Sequence, residues 1–209
     1  MYQLIFAHGW GFDQTFWQKL SEKFSNRYDV LMVDFGYTGN KVVTLDNLNE
    51  KKAICIGHSL GVLWLLKNVS NPRALISISG FIGYQSFFGI NKIQKMKRIL
   101  LKNTATQMKL FYKHTGFNVT PTITFDTEAL VDGLEYLQFG DASKELSKLK
   151  CPVLAITSRD DRIMPQGIAK KIWKNHNLHV LRDGGHVTPV SKVDECESLI
   201  KNFLIDNEL

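Results

Sequence analysis

The sequence has few cysteines, no long apolar run and no repeated or low-complexity segment. Cys55, Cys151 and Cys196 are far apart and lack the spacing of a metal site, so we expect buried free thiols in a reducing compartment. No apolar run reaches the roughly 18 residues that a membrane-spanning helix needs. The first apolar run has no basic residues before it, which favours a strand over a secretory signal. The sequence therefore indicates a cytoplasmic protein with no membrane partner.

Acidic residues are absent from one long segment, residues 81–125. The segment contains seven basic residues, namely Lys92, Lys95, Lys97, Arg98, Lys102, Lys109 and Lys113. The other 19 basic residues nearly balance the 20 acidic residues, so this segment accounts for the formal net charge of +6. Such a segment attracts an acidic partner over a long distance, whereas the simplest alternative is a solvated helix face. Nucleic acid is a third alternative, which no stacking-aromatic or groove-reading motif supports.

Short apolar segments alternate with helical patterns along most of the 209 residues, a length that suits one domain. The predicted buried strands cover residues 4–7, 30–33, 53–56, 74–78, 153–156 and 179–181. The predicted helices cover residues 16–24, 62–68, 167–173 and 193–204. This alternation predicts an α/β fold, with a mostly parallel sheet and helices on both faces.

Residues 81–140 interrupt this alternation with long helical patterns and no convincing buried strand. We therefore predict an α/β core formed by residues 1–80 and 141–209, with residues 81–140 inserted as a helical cap. An insertion after a central strand can cover the carboxyl edge of the sheet, where α/β folds bind ligands.

A Gly-x-Ser-x-Gly motif lies at residues 57–61, between a predicted strand and a predicted helix. On such a turn Ser59 projects its hydroxyl above the sheet, and Gly57 and Gly61 avoid collisions with the neighbouring backbone. The helix N-terminus behind the serine favours developing negative charge. We interpret Ser59 as a nucleophile, and the alternative is a structural turn.

A serine nucleophile needs a base that takes its proton, and we expect a histidine that a carboxylate orients. His186 follows Asp-Gly-Gly directly after a predicted strand, which indicates a loop at the carboxyl edge of the sheet. We therefore prefer His186 to the other downstream histidines, which are His114, His176 and His179.

Two adjacent carboxylates, Asp160 and Asp161, follow another predicted strand. We favour Asp161 because it begins an Asp-x-Ile-x-Pro turn in which Ile163 packs inward and Pro165 opens the next helix. Asp160 is expected to be a solvated loop residue or the partner of a nearby arginine.

The loop after the first predicted strand reads His-Gly-Trp-Gly at residues 8–11. The oxyanion of a tetrahedral intermediate needs fixed N–H donors, and we assign them to the backbone N–H groups of Trp10 and Leu60. The Trp10 ring can also form a wall of the acyl pocket. We expect His8 to brace this loop by hydrogen bonds and His58 to shape the turn next to the nucleophile.

Together these motifs resemble the α/β-hydrolase superfamily over nearly the whole chain. Residues 4–11, 133–137 and 151–154 are similar to segments of the pimeloyl-[acyl-carrier protein] methyl ester esterases of biotin synthesis. The resemblance implies catalytic roles for Ser59, Asp161 and His186, with oxyanion donors at Trp10 and Leu60. It also implies that substrate is bound by Trp10 and Leu60, and, in the cap, by Phe111 and Thr115.

The chain departs from the pattern of that family in three places. Two strands that usually precede the strand before His8 are missing, so we expect a sheet of about six strands. His58 stands where the most similar members carry an aromatic residue, and the loop after Asp34 lacks a proline–glycine pattern. None of these departures affects the predicted triad.

The resemblance implies a serine carboxylesterase that hydrolyses the methyl ester of pimeloyl-[acyl-carrier protein] to the free acid and methanol. An acidic acyl-carrier protein is then the partner, and its candidate docking residues are Lys95, Lys97, Arg98 and Lys102. Two alternatives stay open: a general short-chain carboxylesterase or thioesterase without a carrier partner, and a ligand sensor with little turnover. We expect a monomer that needs no metal and no cofactor.

Overall fold

The computed structural model describes residues 2–39, 41–42, 52–117 and 124–209. Its strands are β1 (Gln3–Ala7), β2 (Asp29–Phe35), β3 (Lys41–Val42), β4 (Ala53–His58), β5 (Ala74–Ile78), β6 (Val153–Ser158) and β7 (Asn177–Leu181). All six predicted strands are present. The additional strand, β3, has only two residues, which is too short to produce a periodic pattern in the sequence.

The helices of the described residues follow the predicted alternation. A 3-10 helix, Gln14–Trp17, leads into α1 (Gln18–Glu22), so the first predicted helix is present in two parts. The others are α2 (Leu60–Asn68), α3 (Gln85–Phe88), α4 (Ile90–Lys102), α5 (Thr104–Thr115), α6 (Thr127–Phe139), α7 (Ser143–Lys148), α8 (Gln166–Ile172), α9 (Thr188–Ser191) and α10 (Val193–Asp206).

The strands form one sheet in the order β3-β2-β1-β4-β5-β6-β7. Neighbouring strands from β2 to β7 are parallel, and β3 is antiparallel to β2. Every residue of β4, β5 and β6 is buried, because helices cover both faces of a parallel sheet. The prediction of a mostly parallel sheet of about six strands is confirmed.

The strand order reverses between β1 and β4, since β2 lies on the far side of β1 and β5 on the far side of β4. Loops that leave the carboxyl ends of strands at such a switch point diverge, and ligands bind in the crevice between them. The loop after β1 holds residues 8–11, and the turn after β4 holds Ser59. The topology therefore places both predicted motifs at the crevice.

Five helices, α3 to α7, lie between β5 and β6, and we call the first four, α3 to α6, the cap helices. The two ends of the insertion meet in an isolated antiparallel bridge between Gly83 and Asp141. A hydrogen bond from Ala142 N–H to Ile82 O adds to this junction. The bounds of a cap at 81–140 stay a prediction, and residues 118–123 of that range lie outside the described residues.

The cysteines largely follow the expectation, since Cys55 and Cys196 are buried and Cys151 is half-buried. No disulfide joins these three described cysteines. None of the helices in the described ranges combines the length and the apolar character that crossing a membrane requires.

Candidate active site

Ser59 lies on the turn between β4 and α2 with a φ of 53° and a ψ of −118°. Residues other than glycine rarely adopt this conformation, and the surrounding structure must hold it in place. Ser59 N–H donates to Ile78 O at 3.1 Å, and Ser59 O accepts from Val62 N–H at 3.2 Å and from Phe81 N–H at 3.4 Å. These bonds secure the strained turn, and Ser59 itself is 6% exposed.

The glycines of the motif are required by close approach of the backbone. A Cβ atom at Gly61 would lie 2.0 Å from Ala7 O, and one at Gly57 would lie 2.8 Å from the backbone of Val62. Gly9 has the same constraint, because its Cβ would lie 2.9 Å from Ser59 Cβ. The loop after β1 therefore passes directly against the Ser59 turn.

Two backbone donors lie beside this turn. Leu60 is the first residue of α2, where an N–H has no partner within the helix. Trp10 follows Gly9, which contacts Ser59. Neither the Trp10 N–H nor the Leu60 N–H donates a hydrogen bond to another described residue. Two free N–H groups on segments that meet at the Ser59 turn are the kind of donors that an oxyanion hole needs, and this role stays a prediction.

The Trp10 side chain is buried at the boundary between the sheet and the cap helices. Its Nε1 donates to Leu130 O of α6 at 2.8 Å, and its ring meets Phe111 of α5 edge-on, with centroids 4.7 Å apart. The predicted bracing role of His8 is present as well: Nδ1 lies 2.8 Å from Gly9 O, and Nε2 accepts from Phe35 N–H at 3.2 Å. The loop is thus held from both sides.

Asp161 and His186 form a buried pair, as predicted, with both side chains fully inaccessible to solvent. His186 Nδ1 lies 2.9 Å from Asp161 Oδ2 and 3.1 Å from Oδ1. Asp161 Oδ1 also accepts from the N–H groups of Ile163 and Met164, both at 2.8 Å. Burial alone would raise the pKa of Asp161, but the attraction of His186 and these hydrogen bonds outweigh it and lower the pKa.

An ionised carboxylate only accepts hydrogen bonds, so Nδ1 of His186 carries a proton. His186 Nε2 is buried and has no hydrogen-bond partner among the described residues. A hydrogen bond to the Ser59 hydroxyl is therefore not formed in this structure. Catalytic hydrogen bonds often tighten only when substrate is bound, and the contact between Ser59 and His186 stays a prediction.

Neighbouring residues nevertheless connect these two groups. Phe81, whose N–H donates to Ser59 O, has its ring 6.3 Å from the His186 ring. His58, which directly precedes Ser59, has its ring centroid 4.8 Å from that of His186. The nucleophile turn and the histidine loop are thus packed against the same side chains.

Asp160 has a role that the sequence reasoning missed. It is exposed, as expected, but its Oδ1 accepts from Gly185 N–H at 3.0 Å and from Ser158 Oγ at 2.9 Å. No arginine pairs with it among the described residues. Asp160 therefore holds the loop that carries His186, while Asp161 holds the ring.

Thr115 lies at the end of α5 and is fully buried. Its backbone oxygen accepts from His186 N–H at 3.1 Å, and its Oγ1 donates to Tyr112 O at 2.9 Å. Thr115 was predicted to contact the acyl chain, but the structure places it against the histidine loop. This contact connects a cap helix directly to the predicted general base.

A cavity of about 340 Å³ opens beside Ser59, a size typical of small-molecule sites. Ser59, Trp10 and Phe111 line it. Trp10 and Phe111 were predicted to contact the substrate, and that role stays a prediction. The apolar residues that the prediction missed are Phe81, Tyr84, Ile93, Met96, Ile99, Leu110, Leu134, Leu137 and Ile163. Several of them recur at helical spacing on α4, which was the available signal. Leu60, which was predicted to bind substrate, lines a different cleft.

Apart from Ser59 and Tyr84, the polar residues that line the cavity come from the cap helices, and they are Lys92, Lys95, Gln107 and His114. Gln107 is 4% exposed, so an apolar cavity contains one buried amide. Burial lowers the pKa of Lys92, against an attraction by Asp161 that raises it. The cavity thus combines apolar walls with positive charge from α4.

The candidate docking residues differ in their availability. Lys97 forms an ion pair with Glu135 of α6, so its charge is already neutralised within the protein. Lys95, Arg98 and Lys102 are exposed and have no ion-pair partner within the described ranges. All seven basic residues of the acid-free segment lie on α4 and α5, whereas α6 carries Glu128, Asp132 and Glu135. Within the cap helices, the basic residues are therefore confined to α4 and α5.

No group of three or more His, Cys, Asp or Glu side chains in the described part of the chain is arranged to hold a metal ion. The arrangement around Ser59 instead contains a hydroxyl on a strained turn, a histidine oriented by a carboxylate, and two free N–H groups. Those are the parts that acyl transfer through a serine requires.

Comparison with known proteins identifies a hydrolase family. A family model described as "Alpha/beta hydrolase family" matches residues 4–197. The chain is 27% identical to a pimeloyl-[acyl-carrier protein] methyl ester esterase of Proteus mirabilis, covering 95% of this chain and 91% of that protein. A protein of the same name from Legionella pneumophila is 25% identical, with coverages of 96% and 94%.

Solved structures share the fold at low identity. An esterase from Exiguobacterium antarcticum has a TM-score of 0.83 at 14% identity, covering 98% of this chain and 92% of that chain. A bromoperoxidase from Bacillus anthracis has a TM-score of 0.82 at 14% identity, with coverages of 97% and 91%.

Proposed function

The chain belongs to the alpha/beta hydrolase family, and from this premise we propose that it is a serine carboxylesterase with Ser59 as nucleophile. His186 is the general base and Asp161 the residue that orients it. The observation that carries this proposal is the buried pair of Asp161 and His186 at the same sheet edge as the strained Ser59 turn.

In the proposed reaction Ser59 Oγ attacks the ester carbonyl while His186 Nε2 takes the hydroxyl proton. Asp161 stabilises the imidazolium, and the N–H groups of Trp10 and Leu60 stabilise the oxyanion. The tetrahedral intermediate collapses to the acyl-enzyme, and His186 returns the proton to the leaving alkoxide. Water then attacks the acyl-enzyme, with His186 again as base, and releases the acid and free Ser59.

We propose the methyl ester of pimeloyl-[acyl-carrier protein] as the substrate, with methanol as the alcohol released. Two observations support this choice: the names of the relatives, and the apolar cavity that opens beside Ser59 with room for an acyl chain. Lys95, Arg98 and Lys102 are the proposed contacts for an acidic carrier protein, because their charges are exposed and unpaired among the described residues.

The hydrolase proposal is tested with a fluorophosphonate probe and a simple methyl ester. We expect the wild type to be labelled and to turn over many times, and Ser59→Ala to lose both properties. Ser198→Ala is the matched control, because Ser198 lies on the surface of α10 and its hydroxyl donates to Asp194 O of the same helix. Labelling that persists in Ser59→Ala would show that the nucleophile is elsewhere.

The substrate proposal is tested by comparing kcat/KM for the carrier-linked methyl ester and for the same ester without the carrier. We expect a clear preference for the carrier-linked form, and restored biotin synthesis in a strain that lacks its own esterase. Equal specificity constants, together with failed complementation by folded protein, would favour a general short-chain carboxylesterase or thioesterase.

A further inference from the structure

His58 is the last residue of β4, directly before Ser59, and the reaction described above leaves it without a role. Its side chain is fully buried, and its Nε2 lies 2.9 Å from His186 O. A carbonyl oxygen can only accept a hydrogen bond, so Nε2 carries the proton and Nδ1 does not. The neutral ring of His58 therefore ties the end of the nucleophile strand to the backbone of His186.

The surroundings of His58 keep its ring in this orientation. The ring stacks on Phe16, with centroids 4.5 Å apart and an interplanar angle of 26°, and meets Phe12 edge-on at 5.6 Å. On the Nδ1 side, a Cβ at Gly9 would lie 2.7 Å away, so the loop after β1 closes that side. Burial and repulsion from His186 hold the pKa of His58 well below its ordinary value.

The other contacts of the histidine loop act on different groups. Thr115 O accepts the N–H of His186, and Asp160 accepts the N–H of Gly185. Asp161 holds the ring through Nδ1. Among the described residues only His58 donates to the carbonyl oxygen of His186.

We propose that His58 is a positioning residue, whose Nε2–H holds the His186 backbone so that the imidazole can reach the Ser59 hydroxyl. This inference rests on the proposed function, because it assigns His186 the role of base. A displacement of about 1 Å in a catalytic group can reduce turnover by about 100-fold, so one buried hydrogen bond is sufficient for such a role.

Three substitutions separate the hydrogen bond from the bulk of the ring. In His58→Gln the amide nitrogen occupies about the position of Nε2 and keeps the donor. His58→Phe keeps a ring and removes the donor, and His58→Asn moves the donor one carbon back. We expect kcat to fall about 10- to 100-fold in the Phe and Asn variants with little change in KM, and to be largely restored in the Gln variant.

A second measurement reports on geometry without turnover. The proton between His186 Nδ1 and Asp161 gives a low-field NMR resonance, which we expect in the wild type and the Gln variant and expect to be shifted or broadened in the Phe variant. Thermal unfolding shows which variants are folded. If His58→Phe is unstable, the comparison of Gln with Asn decides the question.

Three outcomes would overturn the inference. Wild-type kcat in folded Phe and Asn variants would show that the donor is dispensable. Equal losses in all three variants would assign the effect to ring shape. An unchanged low-field resonance in an inactive Phe variant would place the defect away from His186. A wild type without Ser59-dependent turnover would instead contradict the proposed function, and the resonance would still test the positioning of His186.

Discussion

The sheet edge and the cap helices meet at one cavity, but their residues are constrained very differently. Ser59, Asp161 and His186 are at most 6% exposed, and backbone hydrogen bonds secure each of them. The cap helices instead expose Leu101 and Leu110 to 64% and 42%, and carry unpaired basic residues. The difference indicates that the sheet edge determines the chemistry, whereas the cap helices determine what reaches it.

The two regions are nevertheless coupled. Thr115 O of α5 accepts the N–H of His186, and Leu130 O of α6 accepts Nε1 of Trp10. A shift of either helix would therefore move a group that we assign to catalysis. Variants that alter one region and leave the other unchanged test whether the sheet edge determines the chemistry and the cap helices determine substrate access.

The largest effect is expected at the sheet edge, from Asp161→Asn. Loss of the carboxylate disturbs the tautomer and the orientation of His186, which lowers kcat by about 10⁴-fold in comparable triads. Asp160→Asn is the matched control, because the side chain of Asp160 contacts the loop of His186 through Gly185 and Ser158 and does not bind the imidazole. Steady-state kinetics on a simple ester should show at most about a tenfold loss for the control. Equal losses would mean that the wrong aspartate has been assigned.

The contact between α6 and the oxyanion loop is tested by Gly133→Ala. A Cβ at Gly133 would lie 2.6 Å from Trp10 Cδ1 and 2.4 Å from Tyr37 Oη, and both side chains are buried. We expect a loss of about 1–3 kcal/mol in the free energy of unfolding, together with slower turnover as Trp10 moves.

Gly167→Ala in α8 is the control for this substitution, because a Cβ at Gly167 would meet no neighbouring side chain or strand within 4 Å. Relative to glycine, alanine in a helix is favourable by at most about 1 kcal/mol. Urea unfolding of both variants gives the comparison. A Gly133→Ala protein as stable and active as the wild type would show that α6 and Trp10 are not coupled.

The charge on α4 is tested by the double change Arg98→Glu and Lys102→Glu. For the carrier-linked ester we expect kcat/KM to fall about tenfold at low salt and the difference to shrink as ionic strength rises. Turnover of the ester without the carrier should not change. The control reverses Lys170 and Lys171 on α8, which are exposed outside the cap. Equal losses in both double variants would show that the fall in kcat/KM comes from the net charge of the protein and not from the position of these residues on α4.

The smallest effect is expected in the acid stability of the sheet edge. Folded His58 stays neutral at a pH at which the unfolded chain, with a pKa of about 6.5, binds a proton. The free energy of unfolding should therefore fall as the pH drops below that value, by at most about 1.4 kcal/mol per pH unit. His58→Gln should remove this contribution.

Urea unfolding between about pH 7.5 and pH 5.5 measures this difference. Asp161 contributes in a different pH range. Because its pKa is lowered in the folded state, its charge stabilises the fold above about pH 3.8, and this stabilisation is lost only as the pH falls below that value. Parallel pH profiles for the wild type and His58→Gln would contradict the neutral, buried state of His58.

The sequence analysis predicted the α/β fold, all six parallel strands and the pairing of Asp161 with His186. The fold and the strands are confirmed, because each depends on a short segment, such as an apolar strand followed by a glycine-flanked serine. The structure also brings Asp161 and His186 together. The choice of Asp161 over Asp160 likewise followed from the Asp-x-Ile-x-Pro turn, in which two consecutive N–H groups bind one carboxylate oxygen.

Several features of the site could not be predicted in that way. The apolar pattern of α4 was visible, but which of its residues line the cavity depends on how the helix lies over Ser59. The ion pair of Lys97 with Glu135 depends on the packing of α4 against α6. The place of Thr115 against His186 depends on where the end of α5 reaches the sheet edge.

By itself the sequence determined the layers of the fold and the chemical groups at the carboxyl edge of the sheet, because periodicity and turn chemistry act between near neighbours in the chain. Only the tertiary structure decided which groups hold one another in place. His58 and His186 are 128 residues apart, and Trp10 and Leu130 are 120 apart. Contacts at such separations arise from the packing of whole strands and helices, which no local pattern records.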